Sequence, residues 1–159
     1  MPLDTGAQAP DFALRDQNNQ EIRLADFRGR KAVLLVFYPL AFTGTCQGEL
    51  AEIQAHLPEY ANPAVQVLTV SVDSPYSHKV WAEREGWDFP LLADFWPHGA
   101  VASAYGVLDA ERGHAERATF LIDAAGVVRF AEVGQPGRAR DQRAWREAVA
   151  DLEVDIRVR

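Results

Sequence analysis

Two stretches of this chain are apolar almost without a break, "KAVLLVFY" (Lys31–Tyr38) and "VQVLTVSVD" (Val65–Asp73). A strand with one wet face alternates apolar and polar residues, whereas a strand buried on both faces does not. Both runs therefore read as central strands of a sheet covered on each side. Helical signals follow each of them. Leu50, Ile53 and Leu57 recur at helical spacing in a helix expected from Thr43–Gly44 towards Tyr60. "DSPYSHKVWAEREG" opens with Ser74 as an N-cap and Pro75 in the first turn, and Gly86 supplies the stop. Strands that alternate with helices imply a mostly parallel sheet.

The remaining segments complete the pattern. "DFALRD" and "EIRLADF" read as short edge strands joined by the polar turn Gln17–Gln20, and "FPLLAD" as another short strand. "PHGAVASAYG" reads as a short helix with Pro97 near its start and Gly106 at its end. "ATFLID" and "VVRFAEV" flank "AAG" as a β-hairpin, which makes the sheet mixed. "GRARDQRAWREAVADLE" closes the chain as an amphipathic helix, with Trp145 in the core and the "RARDQR" charges on a solvated face. The expected architecture is α/β. It is a thioredoxin-like fold with a central mixed sheet flanked by helices and an N-terminal β extension, one domain over residues 1–159.

Composition narrows the function classes. A formal net charge of −7 argues against non-specific nucleic-acid binding, which needs clustered Lys and Arg to neutralise phosphates. No apolar run approaches the roughly 20 residues of a membrane span. "MPLDTGAQAPDF" has no positive region ahead of an apolar stretch, so it does not read as a secretory signal. One cysteine, Cys46, cannot form an intramolecular disulfide. The expected location is cytoplasmic. A single thiol is either a small buried hydrophobe or a reactive group.

The context of Cys46 favours reactivity. It lies in "FYPLAFTGTCQGEL", just after a central strand and at the start of a helix. The first helical turn has unpaired N–H groups and a partial positive charge, which stabilise a thiolate. Thr43 precedes Cys46 by one helical turn, so its hydroxyl is placed to face the sulfur. Pro39 stops the strand and is placed to shield the thiol. Arg117, just ahead of "ATFLID", is a cation within reach across the sheet. An attacking thiolate with nearby hydrogen-bond donors suits cleavage of an oxygen–oxygen bond.

These residues carry a resemblance. Pro39, Thr43 and Cys46 match the P-x-x-x-[TS]-x-x-C signature of peroxiredoxins, which are thiol peroxidases of thioredoxin-like fold. "RATFLID" resembles the strand that bears the family's active-site arginine, and "APDFALRD" and "GVVRFAEV" also fit. "FPLLADFWPHGAVASAYGV" and "RDQRAW" are similar to the one-cysteine alkyl hydroperoxide reductase E subfamily. The resemblance spans essentially the whole chain. It implies that Cys46 is the peroxidatic nucleophile, that Thr43 hydrogen-bonds the peroxide, that Arg117 stabilises the thiolate and transition state, and that Pro39 shields the sulfur. It also implies that Glu49, one turn after Cys46, orients the arginine. Substrates would be hydrogen peroxide, organic hydroperoxides or peroxynitrite. With no second cysteine, an external thiol must complete the cycle: a low-molecular-weight thiol or a glutaredoxin-like or thioredoxin-like protein. The resemblance further implies a homodimer or a larger homo-oligomer, with no cofactor and no metal.

Other readings stand beside this one. Taken singly, Cys46 reads as an inert core thiol, Thr43 as an N-cap, Pro39 as a strand terminator, Arg117 as a surface cation and Glu49 as a solvated first-turn acid. Gly44-Thr45-Cys46-Gln47-Gly48 also fits the cysteine form of an α/β-hydrolase nucleophile elbow, with Asp73 or Asp94 as the acid and His98 or His114 as the base. A non-catalytic thioredoxin-like binding or holdase module is a third possibility. The four histidines, His56, His78, His98 and His114, show no metal-ligand spacing with Cys46. Phe95 and Trp96 are expected to pack into the core or an interface.

Overall fold

The computed structural model describes the fold of residues 1–158 and the side-chain surroundings of residues 1–153. In chain order the first half comprises β1 (Ala13–Arg15), β2 (Glu21–Arg23), β3 (Ala32–Phe37), α1 (Gly44–Ala55), α2 (Leu57–Tyr60), β4 (Val65–Ser71) and α3 (Pro75–Glu85). The second half comprises β5 (Leu91–Ala93), α4 (Ala100–Ala104), β6 (Leu108–Asp109), β7 (His114–Ala115), β8 (Ala118–Ile122), β9 (Val128–Val133) and α5 (Arg143–Val158).

Seven strands form one mixed sheet in the order β2-β1-β5-β4-β3-β8-β9. The two apolar runs are its centre: β3 and β4 are parallel, in register from Ala32–Val65 to Phe37–Val70. β5 continues the parallel set beside β4, while β8 lies antiparallel on the other side of β3. The β1–β2 pair adds antiparallel along β5, so the N-terminal extension widens the sheet at one edge. Every residue of β3 is buried, because alternate side chains feed two separate cores. Leu34, Val36 and Tyr38 join Cys46, Leu50, Ile53, Trp81 and Trp145 on one face. Val33, Leu35 and Phe37 join Ala102, Tyr105 and Phe120 on the other. Each buried Val, Leu, Ile or Phe among them contributes roughly 1.5–3 kcal/mol by leaving water.

Several boundaries differ from the sequence expectation, each for a physical reason. The helix expected to reach Tyr60 breaks at His56, since Pro58 has no N–H to continue the ladder. The helix expected from Pro97 begins at Ala100, because Gly99 takes a left-handed conformation (φ 68°) just before it. The buried carboxylate of Asp94 accepts the free N–H groups of Val101 (3.1 Å) and Ala102 (2.9 Å) at that helix start. The β6–β7 ribbon was not anticipated. The closing helix starts at Arg143 rather than near Gly137, so most of "RARDQR" is not helical. Trp145 is fully buried as expected, whereas Phe95 and Trp96 are exposed and pack no core.

Ser74 caps α3 as the sequence suggests, accepting the Ser77 N–H at 3.2 Å, and Gly86 ends the helix in the left-handed region (φ 74°). Ser74→Ala is expected to lower unfolding stability by about 1 kcal/mol, read by urea denaturation, while leaving the sheet unchanged.

Candidate active site

The site grows from the end of β3. The ladder runs one residue past the strand, with Tyr38 N–H donating to Val70 O at 3.0 Å, and Pro39 then ends it. The loop Pro39–Thr43 follows. Phe42 adopts φ 64°, an unusual conformation for a bulky side chain. Its ring packs on Trp81, with the Arg84 guanidinium over its face. Thr43 occupies the N-cap position of α1 in an extended conformation, but its side chain does not cap. Its hydroxyl donates instead to Leu40 O at 2.7 Å, which leaves the oxygen lone pairs available as acceptors. Cys46 lies in the first turn of α1 with no solvent-exposed surface.

Arg117, immediately ahead of β8, is 5% exposed. Its Nη1 donates to Cys46 Sγ at 3.4 Å and to Glu49 Oε1 at 2.6 Å. Its backbone carbonyl is tied to Gly134 N–H at 2.7 Å. Glu49 is 2% exposed and also receives Arg140. The Arg140 guanidinium donates through Nε to Oε2 (2.8 Å) and through Nη2 to Oε1 (3.0 Å), and its backbone N–H reaches Oε2 at 2.9 Å. The remaining Nη1 of Arg140 is shared between Ala118 O and Thr119 Oγ1. The guanidinium also lies over the Trp145 ring, 5.3 Å from its centroid. Gln142 completes the frame by donating to Glu49 O at 2.8 Å.

Two buried guanidiniums thus share one carboxylate, leaving a local excess of one positive charge beside the sulfur. Burial alone would push the Glu49 carboxyl up, but the Arg140 and Arg117 contacts outweigh it and hold the group below its ordinary value. Pro39 is half-buried, and with Arg117 it lines a cleft of about 250 Å³ that also includes His114 and Glu116.

The structure brings Cys46, Arg117 and Glu49 into direct contact and sets Thr43 and Pro39 in the loop that leads to them. Glu49 is not a solvated acid. Arg140 and Gln142 are the residues that sequence reasoning missed, having been assigned with "RARDQR" to a solvated helix face; both are buried on Glu49. The only available signal was the arginine density of that segment. The hydrolase arrangement does not form. Gly44–Gly48 lie inside α1, separated from the strand by the Pro39–Thr43 loop. His98 and His114 bond the carbonyls of Gly113 and Ala115, and Asp94 caps α4.

The chain belongs to the AhpC/TSA family, whose model matches residues 5–131. It is a peroxiredoxin, a thiol-dependent peroxidase with a single cysteine. It is 57% identical over 150 residues to alkyl hydroperoxide reductase E of Mycobacterium tuberculosis, covering 94% of this chain and 98% of that protein. It is 40% identical over 149 residues to mouse peroxiredoxin-2, covering 86% and 74% of the two chains. Among solved structures it resembles reduced 2-Cys peroxiredoxin of Plasmodium vivax, with a TM-score of 0.87 at 29% identity over 98% of this chain and 85% of that one. It also resembles peroxidoxin BcpB of M. tuberculosis, with a TM-score of 0.81 at 30% identity over 94% and 96% of the chains.

Because the Glu49 carboxyl is held below its ordinary value of 4.5, its contribution to stability is fully present above that pH and is lost as pH falls through the folded-state value. Glu49→Gln is expected to destabilise the fold by about 3 kcal/mol at pH 7, since two buried guanidiniums lose their counter-charge. It should also remove this carboxylate's part of the acid dependence below pH 4.5. Urea denaturation of both proteins between neutral and acid pH measures the two effects.

Proposed function

We propose that Cys46 is the peroxidatic nucleophile and that Arg117, Thr43 and Pro39 serve it directly, with Glu49 orienting Arg117. The observation that carries this reading is the contact between Cys46 Sγ and a buried guanidinium already fixed on Glu49. The charges of the cluster balance when the sulfur is anionic: two guanidiniums against one carboxylate and one thiolate. The thiolate attacks one oxygen of a hydroperoxide, forming an S–O bond as the O–O bond breaks. The departing oxygen takes up a proton from solvent and leaves as water or an alcohol, or departs as nitrite from peroxynitrous acid, and Cys46 becomes a sulfenic acid.

Thr43 gives its own hydrogen to Leu40 O, so it serves the substrate as an acceptor for the peroxide O–H. Arg117 Nε is buried with no acceptor among the described residues, and it supplies a donor for a peroxide oxygen. Pro39 forms part of the cleft wall beside Arg117 and limits water near the sulfur. Substrates of this reading are hydrogen peroxide, organic hydroperoxides and peroxynitrite.

The sulfenic acid is reduced by an external thiol, which condenses with it to release water and leave a mixed disulfide. A second thiol then resolves that disulfide and restores Cys46. The source is a low-molecular-weight thiol or a glutaredoxin-like or thioredoxin-like protein. Such reductants are held in the cytoplasm, where we place the enzyme. We also assign it a homodimer, supported by exposed Phe42 in the loop and exposed Tyr76 and Val80 one turn apart on α3.

The deciding experiment is stopped-flow oxidation of the reduced protein by one equivalent of peroxide, followed by tryptophan fluorescence and intact mass. A rate orders of magnitude above that of free cysteine, with one oxygen added at Cys46, is expected; a rate like that of any exposed thiol overturns the reading. In the same assay Thr43→Val should slow oxidation about 100-fold while Thr43→Ser retains most of it. Arg117→Ala should slow it by about 100-fold or more. A wild-type rate in either Thr43→Val or Arg117→Ala removes that side chain from the mechanism.

A further inference from the structure

The peroxide acceptor Thr43 is held in place from a strand that does not carry the nucleophile. Its hydroxyl is fixed by Leu40 O, and the next residue, Ala41, donates its N–H to Asp73 Oδ2 at 2.8 Å. Asp73 follows the end of β4, and the same Oδ2 receives the Ser71 hydroxyl at 2.6 Å. Ser71 in turn faces Nε2 of the fully buried His78 on α3 at 2.7 Å, and Tyr38 Oη lies 3.1 Å from that nitrogen. A chain of polar contacts therefore runs from α3 through β4 to the loop, on groups that the chemistry at Cys46 does not use. Phe42, between Ala41 and Thr43, has its backbone in the left-handed region (φ 64°). A bulky residue stays there only when its surroundings hold it. The Asp73 contact fixes the Leu40–Ala41 peptide, whose carbonyl also receives Thr43, and Trp81 holds the Phe42 ring.

We propose that Asp73 is a positioning residue for the peroxide step, acting through Ala41 N–H and Leu40 O to aim the Thr43 hydroxyl. It does not touch the reacting atoms. What it contributes is an oxygen at one point, where a hydrogen-bond acceptor locks the turn from Leu40 to Thr43. Charge is incidental: both contacts use a single oxygen, which an asparagine amide oxygen reproduces. Lengthening the side chain by one methylene keeps the charge and moves that oxygen. This inference rests on Thr43 as the peroxide acceptor, and Thr43→Val tests that premise by itself.

The test measures two second-order rates for Cys46 in wild type, Asp73→Asn, Asp73→Glu and Asp73→Ala. One is oxidation by hydrogen peroxide and the other is alkylation by iodoacetamide, which needs the sulfur but not the peroxide-aiming hydroxyl. Asp73→Asn is expected to keep the peroxide rate within about threefold of wild type, while Asp73→Glu and Asp73→Ala lose about tenfold or more. Alkylation should change less than about threefold throughout. In a Thr43→Val background, Asp73→Glu should cost less than about threefold further, since both changes disable one element. Asp73→Asn and Asp73→Glu are close in size to the native residue, so the test stands even where Asp73→Ala does not fold. Retention by the Glu variant with loss by the Asn variant, wild-type peroxide rates in both, loss in both, or parallel loss of alkylation each overturns the proposal. So does a full additional loss in the Thr43→Val background. A fully active Thr43→Val would instead overturn the role of Thr43 itself.

Discussion

One carboxylate holds two guanidiniums beneath the sulfur, and most of the active site follows from that contact. Glu49 is on the helix that carries Cys46, Arg117 stands just ahead of a central strand, and Arg140 lies on the segment before the last helix. Three distant stretches of chain meet at two oxygen atoms. Removing such charges from water is expensive, and attraction offsets the cost only when nearly every donor finds an acceptor. Arg140 meets that condition with Glu49, Ala118 and Thr119, and stacks on Trp145 as well. Arg117 does not: its Nε has no acceptor among the described residues, and it is the donor that the proposed mechanism assigns to the peroxide. The cluster is thus fully hydrogen-bonded on the Arg140 guanidinium's Nε and Nη1 and keeps one unsatisfied N–H on the Arg117 side among the described residues.

The fold supplies this geometry through the sheet. β3 delivers Cys46 and its loop, and the antiparallel neighbour β8 begins with Arg117 at the same end of the sheet. Pairing of Val36 with Thr119 fixes how far apart those ends lie. A slip of one residue in that register would turn every side chain of β8 to the opposite face. The hydrogen-bonded register of β3 with β8 therefore sets the distance between sulfur and guanidinium.

Much of this was legible in the sequence, and the reason is locality. Strands β3 and β4, the cap at Ser74, the stop at Gly86 and the constellation of Pro39, Thr43 and Cys46 all depend on residues close together in the chain. Arg117 was legible because it stands beside a recognisable strand. Arg140 was not, since its contacts with Glu49 span 91 residues and its neighbours, Arg138, Asp141 and Arg143, look like ordinary solvated charges. Nothing in a polar run distinguishes the one side chain that turns inward. The break at Pro58 could have been read from backbone chemistry, whereas the late start of α4 depended on the conformation of Gly99. Trp96 shows the limit from the other side: of the two places expected for a large loop aromatic, core or interface, its exposure excludes the core.

On the proposed mechanism, the complete burial of Cys46 sets a peroxide and a protein reductant apart by size. A hydroperoxide presents two small oxygens, and the proposed approach is along the wall that Pro39 and Arg117 share. A protein reductant brings a whole surface with its thiol, and that surface cannot follow. For such a partner the first turn of α1 would have to leave its seat, carrying the sulfur outward and separating it from Arg117. Oxidation and regeneration by a protein thiol would then take place in two different shapes of the same loop. The contact of Phe42 with Trp81 lies on that loop and would have to be given up or carried along in such a movement.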